Sequence, residues 1–170
     1  RANFGVNLKM KYDTGSKVYS SPVTMHDGTV IIGTHEGYVL FFDTKGALKK
    51  KYKTDDWVHG SPKNLKNGLA TIPSYDGHMY IFNSDGELKH KLAPGGSIFA
   101  STAETSDGTL LIGSDNAHMY WTDLEGNRKF YFLTGGMIHC TPTVLKDGTV
   151  LISSTDGNVY FVAPDKTHRI

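Results

Sequence analysis

The sequence predicts an all-β fold built from four similar sheets, and three observations lead to this prediction. The chain has 170 residues, which is four blocks of 40 with ten to spare. Between the turns of each block lie short β-branched and aromatic runs, and none has the apolar period of about 3.6 that marks a helix. A related turn recurs in every block, as Asp27-Gly28-Thr29, Asn67-Gly68-Leu69, Asp107-Gly108-Thr109 and Asp147-Gly148-Thr149. Repeats of about 20 to 50 residues are typical of solenoids, propellers and arrays.

The first complete repeat indicates how each sheet is formed. Its apolar runs predict strands at 17–24, 29–34, 38–43 and 48–53, separated by turns at Asp27-Gly28, Glu36-Gly37 and Lys45-Gly46. Glycine supplies the positive φ that tight hairpins need. The two inner strands are apolar on both faces, which is typical of a sheet covered on both sides. Four antiparallel strands in a meander form the blade of a β-propeller.

The repeats predict one propeller domain over residues 1–170. We divide it into repeats 16–55, 56–95, 96–135 and 136–170, preceded by a fourth-type strand within 1–15. Residues 8–12 lie 40 positions before 48–52, whereas the last repeat ends with a third-type strand near 159–162. The N-terminal strand is therefore expected to complete the last blade.

The ring can close in three ways. One chain can close on itself as a four-bladed ring, or two chains can form a homodimer with eight blades in which each donates its first strand. The third alternative is a fragment of a longer propeller. The N-terminus has neither an initiator methionine nor a signal sequence, which favours a mature or excised segment. An engineered repeat segment is also consistent with the lack of insertions.

Composition excludes several classes of partner. The 18 basic and 17 acidic residues leave a net charge of +1, so we expect no nucleic acid. No apolar run is long enough to span a bilayer, so we expect no membrane insertion. The single cysteine, Cys140, excludes an internal disulfide and a cysteine-based zinc site. Lysines concentrate on the fourth strands, where they discourage edge-to-edge pairing.

The repeat resembles that of the pyrroloquinoline-quinone-type (PQQ-like) propellers. The residues that carry the resemblance are Ser21-Pro22-Val23, the run from Asp27-Gly28-Thr29 to Tyr38, and then Asp43 and Gly46. This family includes quinone-dependent alcohol dehydrogenases and the non-enzymatic lipoprotein subunit of the outer-membrane protein assembly machine. The resemblance favours a periplasmic or extracellular location.

The sequence departs from that family in its packing pattern. The family has a small residue in the third strand and a tryptophan in the fourth. Here the third-strand position holds Phe41, Ile81, Trp121 and Phe161, and the fourth-strand position holds Met10, Lys50, His90 and Phe130. In this chain the large side chains lie in the third strand and not in the fourth. This exchange can leave the total apolar volume between blades unchanged.

We expect a binding platform and not an enzyme. The quinone enzymes use a vicinal disulfide that this chain cannot form, and its loops are too short to build a pocket. No nucleophile elbow, zincin, phosphate-loop or dinucleotide motif occurs. We therefore expect no cofactor, no metal and a protein or peptide partner. The alternative is a ligand-binding or quinone-dependent dehydrogenase-type propeller.

Candidate binding residues lie on the face of the ring where the four repeats differ. This face carries the hairpins between second and third strands and the entries to the first strands. Trp57 is the proposed aromatic anchor, and its alternative role is to cap the core between blades. His59 and His139 lie in alternate blades and can share a metal, but hydrogen bonding is the favoured interpretation. The full set is Lys17, Tyr19, His35, Asp55, Asp56, Trp57, His59, Tyr75, Asp115 and His139.

Overall fold

The computed structural model describes residues 5–163, which form four antiparallel sheets. Within this range there are fifteen strands and no helix. Blade 1 comprises β1 (Val23–Thr24), β2 (Val30–Gly33), β3 (Tyr38–Phe42) and β4 (Leu48–Lys53), and blade 2 comprises β5 (Lys63–Asn64), β6 (Ala70–Pro73), β7 (Met79–Phe82) and β8 (Leu88–Leu92). Blade 3 comprises β9 (Ala103–Glu104), β10 (Leu110–Gly113), β11 (His118–Thr122) and β12 (Arg128–Leu133), and blade 4 comprises β13 (Thr143–Val144), β14 (Val150–Ser153) and β15 (Val159–Val162).

Each blade is a meander, as the sequence predicts. The strand order in blade 1 is β1-β2-β3-β4, and blades 2 and 3 have the same order. The pairing register also repeats every 40 residues, as in Ile31↔Phe41, Thr71↔Ile81, Leu111↔Trp121 and Leu151↔Phe161. The four-bladed, all-β fold is therefore confirmed.

Three apolar cores separate the blades. The first joins Val39 and Phe41 of blade 1 to Tyr80 and Phe82 of blade 2. The second joins Met79 and Ile81 to Ile98, Leu110 and Ile112, and the third joins Met119 and Trp121 to Ile138, Val150 and Ile152. Successive residues of one strand point to opposite faces, so the third strand of blade 2 contributes to two cores, with Tyr80 and Phe82 in the first and Met79 and Ile81 in the second. Of the four bulky third-strand positions, Phe41, Ile81 and Trp121 are buried, whereas Phe161 is exposed.

The first strands are shorter than predicted. The sequence indicates a strand over 17–24, but only Val23–Thr24 pairs with β2. Pro22 has no N–H to donate to a ladder. Hydrogen bonds to serine side chains hold this segment instead. The Ser20 hydroxyl accepts from Gly33 N at 3.2 Å, and the Ser61 hydroxyl of blade 2 accepts from Ser21 N at 2.9 Å.

The two ends of the chain do not meet among the described residues. No strand forms between residues 5 and 22, and blade 4 has three strands within the part of the chain that is described. The predicted closure of blade 4 by residues 8–12 of the same chain is thus not found in this range. The segment packs instead on blade 1, where the Tyr12 and Phe42 rings lie 5.0 Å apart, edge to face. Residues 1–4 and 164–170 of the first and last predicted segments lie outside the described residues.

Candidate partner-binding surface

The candidate residues come from two kinds of segment, the hairpins between second and third strands and the entries to the first strands. Both lie together on the face of the ring where the four repeats differ. Backbone N–H groups of the hairpins between second and third strands bond to carbonyls of the first-strand entries. His35 N donates to Lys17 O at 2.9 Å, and Tyr75 N donates to Trp57 O at 2.8 Å. Asp115 N donates to Ser97 O at 3.0 Å. These repeated bonds place the side chains of both segments on one surface.

One row of rings on this surface takes one member from each blade. Tyr19 stacks on His59 with ring centroids 4.9 Å apart, His59 on Phe99 at 4.1 Å, and Phe99 on His139 at 4.7 Å. The interplanar angles are 18°, 28° and 26°. Phe99 therefore separates His59 from His139, and these two histidines do not face each other directly. We call this set the first row.

A second row lies beside the first and is centred on Trp57. His35 stacks on the indole at 4.4 Å with an interplanar angle of 18°. Tyr75 stacks at 5.7 Å with an angle of 28°. Trp57 is thus held between His35 and Tyr75, and the three rings form the second row.

The two rows are joined by pairs of residues that are 24 positions apart. His35 Nε2 lies 3.2 Å from His59 Nδ1, and Tyr75 meets Phe99 edge to face at 6.4 Å. His139 Nε2 lies 2.8 Å from Asp115 Oδ1. The neighbouring Asp115 carboxylate also raises the pKa of the Tyr75 hydroxyl. The rows and these cross-links make one surface, which we call the aromatic platform.

The exposed parts of the platform are Tyr19 and Trp57. Tyr19 is 54% exposed and Trp57 is 46% exposed, while the histidines, Tyr75 and Phe99 are half-buried. Trp57 is not a member of any of the three described cores, and its neighbour Val58 is buried between blades 1 and 2. The indole is therefore placed on the surface, and the valine fills the core.

Charged groups border the platform near Trp57. Asp55 is exposed, Asp56 is half-buried, and Lys17 is exposed beside Tyr19. The Asp56 carboxylate accepts a hydrogen bond from Trp57 N at 2.7 Å. The two acidic side chains therefore lie at the rim beside the indole.

Sequence analysis did not identify the role of Asp76 in holding this rim. Its Oδ2 accepts from Tyr80 Oη at 2.7 Å and from Asp55 N at 3.1 Å, and its Oδ1 accepts from His78 N at 2.9 Å. Burial opposes ionisation, yet these hydrogen bonds hold the pKa of Asp76 below its usual value. The signal in the sequence is an aspartate four residues before a tyrosine, which recurs as Asp156 and Tyr160.

The histidines of the platform are paired with rings or with Asp115. Among residues 5–163, no three His, Cys, Asp or Glu side chains are grouped closely enough to hold a metal ion. Nor does that range contain a helix long and apolar enough to cross a membrane.

The meander blades and the cores between them define a β-propeller fold, and known structures share it. BamB from Moraxella catarrhalis matches with a TM-score of 0.71 and 17% identity over 88% of this chain and 51% of that chain. The computationally designed Ika4 protein matches with a TM-score of 0.76 and 16% identity over 94% of this chain and 98% of that chain. A chain of the mitotic checkpoint complex matches with a TM-score of 0.73 and 13% identity over 88% of this chain and 49% of that chain.

These likenesses establish the fold alone. The chain spans about half the length of the BamB and checkpoint chains that it matches. No protein-family model matches the sequence, and no curated protein matches it.

Proposed function

We propose that this chain is a protein-binding propeller that recognises a peptide segment on the aromatic platform and carries out no bond chemistry. The observation that carries the proposal is the exposed indole of Trp57, held between His35 and Tyr75. Propellers of similar fold include a chain of the mitotic checkpoint complex, so this fold is used within a protein assembly in that case.

The platform suits recognition because it is already ordered. Stacking and cross-links restrict the rings before a partner arrives, so little side-chain entropy is lost on binding. Buried tryptophan and tyrosine anchors commonly dominate binding energy at protein interfaces. The ring edges and imidazole nitrogens that remain accessible add polar contacts to this apolar area.

The charges at the rim indicate the kind of segment that fits. Asp55 and Asp56 lie beside Trp57, where their carboxylates attract a cation. A peptide that places an apolar or aromatic side chain against Trp57 and an arginine or lysine beside these carboxylates satisfies both features. Arginine suits the site best, since it stacks on rings and pairs with carboxylates.

The absence of catalysis is part of the proposal. His139 is paired with Asp115, but among residues 5–163 no serine, threonine or cysteine side chain forms a hydrogen bond with its imidazole, as a nucleophile would. We also propose that the repeat is related to that of the PQQ-like propellers and that the four blades originate from a longer propeller.

The test is selection of peptides from a random phage-displayed library on the immobilised chain, followed by titration of the selected synthetic peptide. Binding is followed by the anisotropy of a fluorescent label on the peptide, because Trp57→Ala removes the exposed tryptophan and the remaining Trp121 is only 3% exposed. We expect Trp57→Ala to weaken binding by about 30-fold, the size of a typical hot spot near 2 kcal/mol.

Tyr131→Ala is the matched control, because this exposed ring lies on β12, outside the platform. It should leave the affinity unchanged. Equal affinity in Trp57→Ala and the parent chain contradicts the anchor role. Saturable binding of pyrroloquinoline quinone with calcium contradicts the proposal that the chain is not an enzyme.

A further inference from the structure

The two ends of the described chain expose surfaces that are buried everywhere else in it. In blades 1, 2 and 3, the third-strand residues that point to the following blade are Phe41, Ile81 and Trp121, with 0%, 0% and 3% exposure. The equivalent residue of blade 4 is Phe161, which is 68% exposed. Val159, which corresponds to the buried Val39, is also exposed. Blade 4 therefore presents an uncovered apolar back face.

Blade 1 presents the opposite half of the same kind of interface. Val18 is 42% exposed, whereas its equivalents Val58, Ile98 and Ile138 are buried against a preceding blade. A groove of about 630 Å³ lies on this front face. Its apolar lining includes Met10, Tyr12, Val18, Val30, Ile32 and Phe42.

The N-terminal segment marks where a preceding blade would lie. The Tyr12 and Phe42 rings meet at 5.0 Å and 74°, and the Tyr52 and Phe82 rings, 40 residues later, meet at 5.0 Å and 70°. Tyr52 belongs to the fourth strand of blade 1 and packs on blade 2 in this way. The segment 8–12 thus occupies the place of a fourth strand, but no third strand pairs with it in the described chain.

We infer that a second copy of this chain docks head to tail on these end faces, so that two copies close one ring of eight blades. The back face of blade 4 in one copy covers the front face of blade 1 in the other. Segment 8–12 of the second copy then lies beside β15 and supplies its missing hydrogen-bond partner. The twofold arrangement repeats the contact at the other pair of ends, so no apolar end or free edge is left.

Two observations favour a second copy over closure within one chain. Within residues 5–163 the two end faces stay exposed and do not cover each other, although they are the two halves of an interface that the chain already makes three times; a second copy carries the half that each face lacks. BamB and the checkpoint chain are matched over 51% and 49% of their lengths, with TM-scores of 0.71 and 0.73. The four blades superpose on about half of each of those longer chains, as an arc of a larger ring does, although the Ika4 match covers 98% of a chain of similar length, so the mass in solution is the deciding measurement.

The inference is tested first by the mass of the 170-residue chain in solution, measured by light scattering after gel filtration. We expect twice the 18.7 kDa chain mass. Phe161→Asp should convert the protein to a monomer with an unchanged β-sheet circular dichroism spectrum. Leu133→Asp is the matched control, because this leucine is 58% exposed on β12, away from the end faces, and its variant should remain a dimer. A monomeric parent chain, a larger open oligomer or a dimeric Phe161→Asp variant overturns the inference.

A disulfide trap tests the register and does not depend on the stability of the Phe161 variant. The pairing Val39↔Tyr52 repeats as Met79↔Leu92 and Met119↔Phe132, so Val159 should pair with Tyr12 of the other copy. We combine Tyr12→Cys with Val159→Cys in a Cys140→Ser background, since directly paired residues on adjacent strands suit disulfide geometry.

Oxidation should produce a covalent dimer on a denaturing gel. The combination of Tyr12→Cys with Leu133→Cys in the same background is the control and should stay monomeric on that gel. A disulfide confined to one chain shows closure within the chain and overturns the inference. Loss of peptide binding has no bearing on this result, which keeps it separate from the proposed function.

Discussion

At the scale of the residue, the surroundings of His59 on the platform lower its pKa. Its imidazole is stacked between Tyr19 and Phe99 and lies beside His35. Desolvation, and after it the charges that His35 and His139 acquire on protonation, lower the pKa of His59 below the ordinary value of 6.5. The neutral form is therefore the one that the folded platform favours.

We predict that this histidine makes the fold less stable in mild acid. The unfolded chain binds the proton more readily, so stability is lost as pH falls through 6.5 and the full loss is reached below the folded pKa. His59→Phe keeps a stacked ring but has no ionisable group. In urea unfolding between about pH 7 and 5, this variant should show a smaller change of unfolding free energy with pH than the parent chain. Asp76 has a lowered pKa and responds below its ordinary 3.8, outside this window. An unchanged slope in His59→Phe would show that the dependence comes from other groups.

At the scale of the element, one hairpin departs from its sister hairpins. The turn between second and third strands uses Gly37, Gly77 and Gly157 with φ near 78°, 87° and 88°. Blade 3 has Ala117 at this position with φ 68°. A residue other than glycine that is held in the left-handed backbone region destabilises the fold by about 1 to 2 kcal/mol.

Ala117→Gly should therefore stabilise the protein. Relief of the backbone strain exceeds the extra entropy of glycine in the unfolded chain, and the net gain should be about 0.5 to 1 kcal/mol. The measurement is the urea midpoint at constant m-value. Ala47→Gly makes the same chemical change where φ is not positive, and it should destabilise the chain slightly. Equal effects of the two substitutions would refute the strain argument.

Sequence reasoning worked for the elements whose determinants are local. The bounds of β4 agree with the prediction for 48–53, because the turn at Gly46 determines where this lysine-rich strand begins. It failed for 17–22, where Ser20 and Ser21 bond to Gly33 and Ser61 and not along a ladder. Gly33 lies in another strand and Ser61 in another blade, so the local sequence of 17–22 does not reveal these partners.

The same distinction applies to the platform. The 40-residue period correctly put the hairpins and entries on one face. It did not reveal that His35 pairs with His59, or Asp115 with His139, because each pair joins two blades and depends on how they pack. The role of the Asp76 carboxylate was missed for the same reason. It accepts a hydrogen bond from Asp55 N, which joins the second repeat to the end of the first.

At the scale of the whole molecule, closure by a second copy makes stability depend on concentration. A tenfold increase in protein favours the folded dimer by about 1.4 kcal/mol. For two chains of this length, we expect the Tm to rise by about 2 °C for each tenfold step. Thermal unfolding over two decades of concentration measures this shift. Phe161→Asp should show none, and a parent Tm independent of concentration would contradict the shared ring.

The first row of rings also constrains how many partners one assembly can hold. In a twofold ring, Tyr19, His59, Phe99 and His139 each occur twice around a common axis, with Trp57 repeated on opposite sides. A short peptide that contacts one indole leaves the other free, and saturation then requires one peptide per chain. A large domain that covers the axis blocks both positions and saturates at one per two chains. The stoichiometry at saturation thus distinguishes a ligand that binds beside one indole from one that covers the common axis.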